Sequence, residues 1–373
     1  MVVFGTRPEC IKLAPIIKQA QSHGVDICTC VTGQHREMLD QCLDIFGIKP
    51  DFDLSVMRPN QTLSGLTGRI LEGIAPVLGA SRPDCVMVQG DTTTAFGAAL
   101  AAFYGRIPVA HIEAGLRTYD LAAPFPEEGM RQMITRLTTW NFAPTEKNRL
   151  ALLDESVKPD NIFVTGNTVI DALFMVRDQL VNKAHPELLE LPPDLVSLLS
   201  HSQRKLVLIT GHRRESFGQG LQEICGAIAA LAEEFRDVIF IYPIHLNPNV
   251  LGPVQQKLRG IENVHLLKPL NYYTFVYLMT RSHIIVSDSG GVQEEAPSLK
   301  VPVLVTRSVT ERMEAVTSGN VKLVGSDAER IVAEARTLLT DAEAYREMTI
   351  SENPFGDGHA ADRILEVIAA QPW

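Results

Sequence analysis

Short apolar runs alternate along the chain with longer segments in which apolar residues recur every three or four positions. After an opening run at Met1–Phe4, the first half has runs that predict strands at Val25–Val31, Cys85–Gln89, Pro108–Ile112, Phe142–Ala143 and Ile162–Thr165. Helix-like periodicity lies between them at Cys10–Gln21, Arg36–Phe46, Leu63–Leu78 and Met130–Leu137. This alternation is typical of a parallel sheet that is covered by helices on both faces.

The second half repeats the alternation. Its predicted strands are Leu206–Thr210, Val238–Ile241, Val264–Leu267, Ile284–Ser287 and Val303–Thr306. A proline-containing stretch at 182–204 has no strong strand signal, and we place a hinge near its start. Since 373 residues exceed the roughly 100–200 residues of a common domain, we predict two Rossmann-like α/β domains. They are assigned to residues 1–168 and 169–356, with a C-terminal helix within 357–373 that packs back on the first domain.

Charge and cysteine usage narrow the class of protein. The formal net charge is −10, which lacks the basic character of a surface that binds nucleic acid or anionic lipid. No apolar run reaches the length of about 18 residues that a membrane span needs, and no secretory leader is evident. The six cysteines form no CxxC pair, which favours reduced, buried thiols. We therefore expect a cytoplasmic protein that binds neither nucleic acid nor membrane.

Polar residues follow several of the predicted strands in the first half. Ligands of parallel α/β sheets bind beyond the carboxyl ends of the strands, so these positions are candidates for chemistry. Arg7 follows Gly5-Thr6 after the first strand, and Lys12 lies on the next helix. The turn offers backbone N–H groups and positive charge for an anion. A solvated arginine at an ordinary turn is the alternative, and the residues alone leave both open.

Carboxylates make up the second feature of the first half. Asp91 and Glu113 each come directly after a predicted strand, while Glu127 and Arg131 lie on a loop and the helix that follows it. In isolation Asp91 is also compatible with a helix N-cap. Several carboxylates on one rim of a sheet nevertheless indicate acid–base chemistry rather than capping alone.

The second half has two strand ends of the same kind. His212 follows Gly211 after the strand Leu206–Thr210, and a Gly-His-Arg-Arg run favours contact with phosphate. After the strand Ile284–Ser287, glycines let a diphosphate approach the backbone N–H groups at a helix start. Glu295 lies one turn into that helix, where its carboxylate could accept two hydrogen bonds from a ribose diol.

Two further motifs are discounted. The run Gly218–Glu223 resembles a dinucleotide fingerprint, but its last glycine is missing and it does not directly follow a strand. Asp51-Phe52-Asp53 has the spacing of some metal sites, and we interpret it as a solvated connector. We therefore expect no nicotinamide, no metal and no other cofactor.

In combination these motifs resemble those of the bacterial non-hydrolysing UDP-N-acetylglucosamine 2-epimerases. The resemblance runs essentially from end to end. It rests on the stretches FGTRPE at 4–9, GQHR at 33–36, GDTTT at 90–94, HIEAGLRT at 111–118, PEE at 126–128, TGHRRE at 210–215, DSGGVQEEAP at 288–297 and TER at 310–312. Departures are Leu270, Met313 and Glu37, which stand where relatives have glutamine, proline and glutamine.

The resemblance implies a glycosyltransferase-B fold with the active site in the cleft between the domains. By position, the catalytic residues would be Asp91, Glu113, Glu127 and His212. Substrate and UDP would be bound by Arg7, Lys12, Arg131, His212, Phe275, Ser289, Gly290, Gly291, Glu295 and Arg312. Gln34, His35 and Arg69 are candidates for a second, activating nucleotide-sugar site, and the family also implies a homodimer.

The implied reaction is epimerisation at C2 of UDP-N-acetylglucosamine to UDP-N-acetylmannosamine, through elimination of UDP and its re-addition. Two alternatives share these motifs. A hydrolysing 2-epimerase would release N-acetylmannosamine and UDP, whereas a glycosyltransferase of the same fold would move the sugar to an acceptor. We find no sequence feature specific to an acceptor site. A non-enzymatic nucleotide sensor would not need three carboxylates beside the diphosphate.

Overall fold

A computed structural model describes residues 1–33, 36–58, 61–183, 185–211 and 217–372. The chain divides into two compact units, of which the first comprises Met1–Met175 with Phe355–Trp373 and the second Val176–Pro354. The division after residue 168 stays a prediction, and in the structure the chain passes from the first unit to the second after residue 175. The observed boundary falls inside a helix, and a continuous helix gives no compositional signal of a domain boundary.

The first unit contains a seven-stranded parallel sheet. Its strands are β1 Val2–Phe4, β2 Thr29–Val31, β3 Phe52–Asp53, β4 Val86–Gln89, β5 Val109–Ile112, β6 Trp140–Ala143 and β7 Ile162–Val164. Their order in the sheet is β3-β2-β1-β4-β5-β6-β7. The direction of strand addition therefore reverses between β1 and β4, which is the point where ligands of doubly wound sheets bind.

Helices cover this sheet. Along the chain they are α1 Arg7–Gln19, α2 Arg36–Phe46, α3 Leu63–Ser81, α4 Thr93–Tyr104, α5 Glu127–Leu137, α6 Glu146–Asp154 and α7 Thr168–Val181. Ile70 and Ile74 of α3 are fully buried and pack with the alanines of α4 and with Val86 and Val88 of β4. Burial of such a side chain contributes about 1.5–3 kcal/mol relative to exposure, so this layer fixes α4 and the loop before it.

The second unit has a six-stranded parallel sheet. Its strands are β8 Leu206–Thr210, β9 Ile239–Pro243, β10 Val264–Leu267, β11 Ile284–Ser287, β12 Val303–Val305 and β13 Val321–Leu323. The helices are α8 Pro193–His201, α9 Gln219–Glu234, α10 Pro248–Leu258, α11 Tyr272–Arg281, α12 Gly290–Glu295, α13 Met313–Thr317, α14 Ala328–Thr340 and α15 Ala342–Glu347. The order β10-β9-β8-β11-β12-β13 reverses between β8 and β11. The prediction of two parallel α/β sheets is confirmed.

The last helix, α16 (Ala360–Ala369), belongs to the first unit. Oδ1 of Asp171, on α7, accepts a hydrogen bond of 2.8 Å from the backbone N–H of Ala361. The backbone N–H of Asn167 donates to the carbonyl of Phe355 at 2.7 Å. Burial raises the pKa of Asp171 to about 6. The backbone N–H groups that donate hydrogen bonds to its carboxylate lower the pKa and offset part of this effect. The C-terminal segment is thus fastened to the helix that leads out of the first unit.

Some local predictions were wrong. The strand predicted at Val25–Val31 is shorter, since only Thr29–Val31 pairs with β1. The supposed connector at residues 51–53 contains β3, and Asp51 accepts hydrogen bonds from the backbone N–H and hydroxyl of Thr29 at 2.7 and 2.8 Å. The edge strands β3 and β13 are short and each contains a charged residue, Asp53 and Lys322, so neither forms a continuous apolar run, and β13 was not predicted.

Candidate active site

The carboxyl ends of β1, β4 and β5 are neighbours in the first sheet. The turn with Arg7 follows β1, Asp91 follows β4, and Glu113 follows β5. The sequence-predicted residues of the first half therefore converge on one edge of the sheet. Glu113 has a φ of +63°, in the left-handed region that residues other than glycine seldom adopt and that occurs at functional sites.

Glu113 is held by two side chains from neighbouring elements. The ammonium group of Lys12, on α1, forms an ion pair with Oε2 of Glu113. The side-chain amide of Gln89, the last residue of β4, donates to the same oxygen. The side chains of Glu113 and Lys12 are only 10% and 16% exposed, so their attraction is weakly screened by water. These contacts fix the orientation of the carboxylate.

Asp91 has a cationic partner of its own. Nε and Nη2 of Arg131, on α5, lie 2.7 and 2.6 Å from Oδ2 of Asp91, and Nη1 lies 3.3 Å from Oε2 of Glu128. Glu128 is fully buried and also accepts from the backbone N–H groups of Thr118 and Tyr119 at 3.0 and 3.2 Å. Burial alone would raise the pKa of Glu128, but the side-chain amide of Gln132, which donates to Oε1 at 2.9 Å, outweighs it together with the contacts above and lowers the pKa.

Glu127 is the first residue of α5 and is half-buried. It lies one helical turn before Arg131, which brings it to the same end of the helix as the Asp91 ion pair. Its neighbour Glu128 anchors the loop, whereas sequence reasoning singled out Glu127 for catalysis. The structure thus separates a buried structural carboxylate from a more accessible one at adjacent positions.

His111 and Arg117 flank Glu113 in the sequence and have structural partners. Nε2 of His111 lies 2.8 Å from the carbonyl oxygen of Gly90, and burial lowers the pKa of this histidine to about 4. A neutral ring donates to Gly90 and so steadies the loop that carries Asp91. Nε of Arg117 donates to Glu155 at 2.6 Å in an almost fully buried ion pair.

In the second sheet, β8, β11 and β12 are neighbours. The hydroxyls of Thr210 and Ser287 are 2.6 Å apart, and Oγ of Ser287 accepts from the backbone N–H of Ser289 at 3.0 Å. Ser289 is the N-cap of α12, which begins with Gly290 and Gly291. The predicted diphosphate loop therefore starts at the reversal point of this sheet, where its backbone conformation is held by hydroxyl groups.

Arg312 lies directly against this loop. A Cβ atom at Gly290 would come within 3.0 Å of Cζ of Arg312, closer than side chains normally tolerate. The guanidinium is held by Nε donation to Glu294 at 2.9 Å and by a longer contact with Glu311 at 3.5 Å. Glycine at position 290 therefore allows a fixed positive charge beside the start of α12.

The remaining predicted nucleotide contacts lie on α11 and α12. Glu295 is buried, and its Oε2 accepts a hydrogen bond of 2.7 Å from the hydroxyl of Tyr272. Phe275 lies one turn further along α11 and is half-buried. The structure therefore brings these two helices together at the sites assigned to ribose and uracil.

Three predicted residues, Gln34, His35 and His212, lie outside the described residues. Arg69 is described, and its Nε donates to the carbonyl of Val56 at 3.2 Å, while its Nη2 pairs with Gln61. In the described part of the chain, no group of three or more histidine, cysteine or acidic side chains is arranged to hold a metal ion. No helix formed by these residues has the length and apolar character to span a bilayer.

The profile of the UDP-N-acetylglucosamine 2-epimerase family matches residues 18–369. The chain belongs to this family. It is 53% identical over 375 residues to a UDP-N-acetylglucosamine 2-epimerase of Yersinia pestis, and the aligned region covers 99% of this chain and 97% of that protein.

Solved structures of UDP-N-acetylglucosamine 2-epimerases also match this chain along nearly its whole length. The enzyme of Neisseria meningitidis, crystallised with UDP-GlcNAc, has 48% identity and a TM-score of 0.87, with 99% of each chain covered. The enzyme of Methanocaldococcus jannaschii, crystallised with UDP-GlcNAc and UDP, has 31% identity and a TM-score of 0.79, again with 99% of each chain covered. The predicted family resemblance is confirmed, and each unit has the α/β architecture of the glycosyltransferase-B fold.

Proposed function

We propose that the protein is a non-hydrolysing epimerase that interconverts UDP-N-acetylglucosamine and UDP-N-acetylmannosamine. The observation that carries this proposal is a pair of cation-bound carboxylates at neighbouring strand ends, Asp91 with Arg131 and Glu113 with Lys12. Relatives of the same family are crystallised with UDP-GlcNAc. Acid–base groups beside a nucleotide-sugar site are what inversion of a C–H centre requires.

The chemistry favours elimination. The C2 hydrogen of the sugar is not next to a carbonyl group, so direct removal of the proton would leave an unstabilised carbanion. If the C1–O bond breaks first, positive charge develops on the ring and the C2 proton becomes acidic. Loss of that proton gives 2-acetamidoglucal and UDP, and re-addition of UDP with protonation on the other face of C2 gives the epimer.

The residues divide by role. The backbone N–H groups of Gly290 and Gly291, with Arg7, His212 and Ser289, would stabilise the departing diphosphate. Glu295 would take the ribose and Phe275 the uracil, and Arg312 would add positive charge beside Gly290. Proton exchange on both faces of C2 needs more than one acid–base group, and Asp91, Glu113 and Glu127 are the candidates.

We also propose where the enzyme acts, its oligomeric state and the use of its product. We expect a cytoplasmic homodimer that supplies N-acetylmannosamine units for cell-surface polysaccharide. The reaction is redox-neutral overall, and the carboxylates can move the protons, so we expect turnover without nicotinamide or metal.

NMR of the purified protein with UDP-GlcNAc as the only added substrate tests the function. We expect UDP-ManNAc to accumulate to an equilibrium mixture, at an unchanged rate after exhaustive EDTA treatment. Stoichiometric release of free N-acetylmannosamine and UDP would instead identify a hydrolysing epimerase. Complete lack of turnover without an acceptor would favour a glycosyltransferase. Activity lost with EDTA and restored by a divalent metal would refute metal independence.

The contact between Gly290 and Arg312 gives a prediction for nucleotide binding. In Gly290→Ala the new methyl group must push the guanidinium of Arg312 a few tenths of an ångström away from the loop. Because this weakens a charge-assisted contact with the nucleotide, we expect UDP to bind about tenfold more weakly by calorimetry, which is about 1.4 kcal/mol.

Gly226→Ala is the matched control. Gly226 also lies in a helix of the second unit, and a Cβ atom there would meet nothing within 4 Å. Alanine should stabilise that helix by about 0.5–1 kcal/mol without altering UDP affinity. Equal UDP affinity of the Gly290→Ala variant and the wild type would show that Arg312 does not act on the nucleotide.

A further inference from the structure

Glu9, in the first turn of α1, is a buried carboxylate for which the proposed mechanism has no use. It is 1% exposed. Its Oε2 accepts from the backbone N–H of Gly5 at 3.0 Å and from the backbone N–H and hydroxyl of Thr6, both at 2.8 Å. Its Oε1 accepts from the hydroxyl of Thr92 at 2.6 Å. All these partners lie in the first unit, and they come from two different strand-end loops.

The two loops are those that carry proposed active-site residues. Gly5 and Thr6 immediately precede Arg7, and Thr92 immediately follows Asp91. We infer that Glu9 is a positioning residue that joins the turn bearing Arg7 to the loop bearing Asp91, so that substrate binding and acid–base chemistry are held in one geometry. The inference rests on the proposed function only for the roles of Arg7 and Asp91.

The hydroxyl of Thr92 fixes the second end of this link. While it donates to Glu9, it also accepts from the backbone N–H of Ala95 at 3.0 Å and so caps α4. One side chain therefore sets both the start of α4 and its distance from the turn after β1. Oε2 of Glu9 contacts the turn after β1, and Oε1 contacts Thr92 in the loop after β4. A side chain shorter than glutamate would not place one oxygen at each of these two loops.

The link depends on shape more than on charge. Burial raises the pKa of Glu9 to about 7, offset in part by its hydrogen bonds. In the neutral form Oε2 can still accept from the two backbone N–H groups, while Oε1–H donates to Thr92. A glutamine has the same pattern, with its carbonyl facing Gly5 and Thr6 and its amide N–H donating to Thr92.

This geometry predicts that kcat tolerates the loss of charge at position 9 better than a shortening of the side chain. Glu9→Gln should keep kcat within about threefold of the wild type, although the charge is removed. Glu9→Asp keeps the charge but is one methylene shorter, and we expect kcat to fall about 10- to 100-fold, as for small displacements of reacting groups. A catalytic acid or base would show the opposite order. Abolition of turnover by Glu9→Gln would therefore overturn the inference.

Thr92 provides a second test if a Glu9 variant does not fold. Thr92→Ser retains the hydroxyl and should retain kcat, whereas Thr92→Val should lower kcat about tenfold or more. Asp327→Ala is the control, since Asp327 caps α14 of the second unit by accepting from the backbone N–H of Arg330 at 3.1 Å and is not a hydrogen-bond partner of Glu9. Both Thr92→Val and Asp327→Ala should lose a cap worth about 1 kcal/mol, and only Thr92→Val should lose kcat. Equal kcat in the two variants would mean that Thr92 is only a cap.

Amide hydrogen exchange tests the link without any turnover. Thr92→Val should raise the exchange rates of the Gly5 and Thr6 amides at least about tenfold, because their acceptor is no longer held, while Asp327→Ala should leave them unchanged. Unchanged exchange in Thr92→Val would refute the link. A wild type that does not epimerise UDP-GlcNAc would refute the proposed function but not this result, so the two failures are distinguishable.

Discussion

Glu113→Gln should lower kcat for epimerisation by about 10³-fold while leaving the protein folded and able to bind UDP. Glutamine preserves the size of the side chain and its oxygen can still accept from Gln89. It cannot take up a proton, and it replaces the carboxylate of the ion pair with Lys12 by a neutral amide. The loss should appear in kcat more than in KM, because the carboxylate acts on the reacting sugar rather than on the nucleotide.

Glu146→Gln is a suitable control in the same unit. Glu146 pairs with Arg149 at 2.7 Å on an exposed face of α6, and such pairs contribute about 0–1 kcal/mol. Its kcat should equal that of the wild type. If Glu113→Gln retained wild-type kcat, the assignment of Glu113 to proton transfer would be wrong, whatever its effect on stability.

Asp91→Asn and His212→Ala should fail in different ways. Asp91 is paired with Arg131 in the first unit, and asparagine retains an oxygen for that arginine while losing the charge and the ability to move a proton. We expect kcat to fall about 10²- to 10⁴-fold with UDP affinity near that of the wild type. His212 is assigned to the diphosphate in the second unit, so His212→Ala should weaken UDP binding about tenfold or more.

Calorimetric titration with UDP, combined with steady-state kinetics, separates the two variants. The proposed roles of Asp91 and His212 require that only the His212 variant lose nucleotide affinity. If Asp91→Asn lost UDP binding as severely as His212→Ala, the assignment of Asp91 to chemistry and of His212 to diphosphate binding would have to be abandoned.

Much of the fold could be predicted because its strands are continuous apolar runs. The sequence pattern predicts β8 and β11 with the observed bounds, since buried parallel strands lack polar interruptions. The bounds of the edge strand β10 are also predicted, although it contains His265 and is only partly buried. Short edge strands such as β3 carry no such signal. Likewise, residues at strand ends such as Asp91 and Glu113 could be selected, because the carboxyl edge of a parallel sheet gathers them.

The supporting residues could not be selected in this way. Glu9, Gln89 and Glu128 act through hydrogen bonds to segments that are distant in sequence or to backbone N–H groups. Glu127 and Glu128 are adjacent and chemically identical, and only the direction of each side chain on α5 distinguishes a buried anchor from a half-buried carboxylate. Thr6 and Glu9 form a capping box, which a local pattern does show. The contact of Glu9 with Thr92 and the burial of Glu128 are properties of the folded chain, so no local pattern reveals them.

The most direct test of elimination and re-addition follows the C2–H bond and the C1–O bond of the sugar in one experiment. Wild-type protein is incubated in D₂O with UDP-GlcNAc that carries ¹⁸O in the C1–O–P bridge, and the products are analysed by NMR and mass spectrometry. Elimination through the glycal predicts solvent deuterium at C2 of UDP-ManNAc and movement of ¹⁸O into non-bridging phosphate positions. Formation of UDP-ManNAc with its C2 hydrogen fully retained and the ¹⁸O still confined to the bridge would contradict elimination and re-addition.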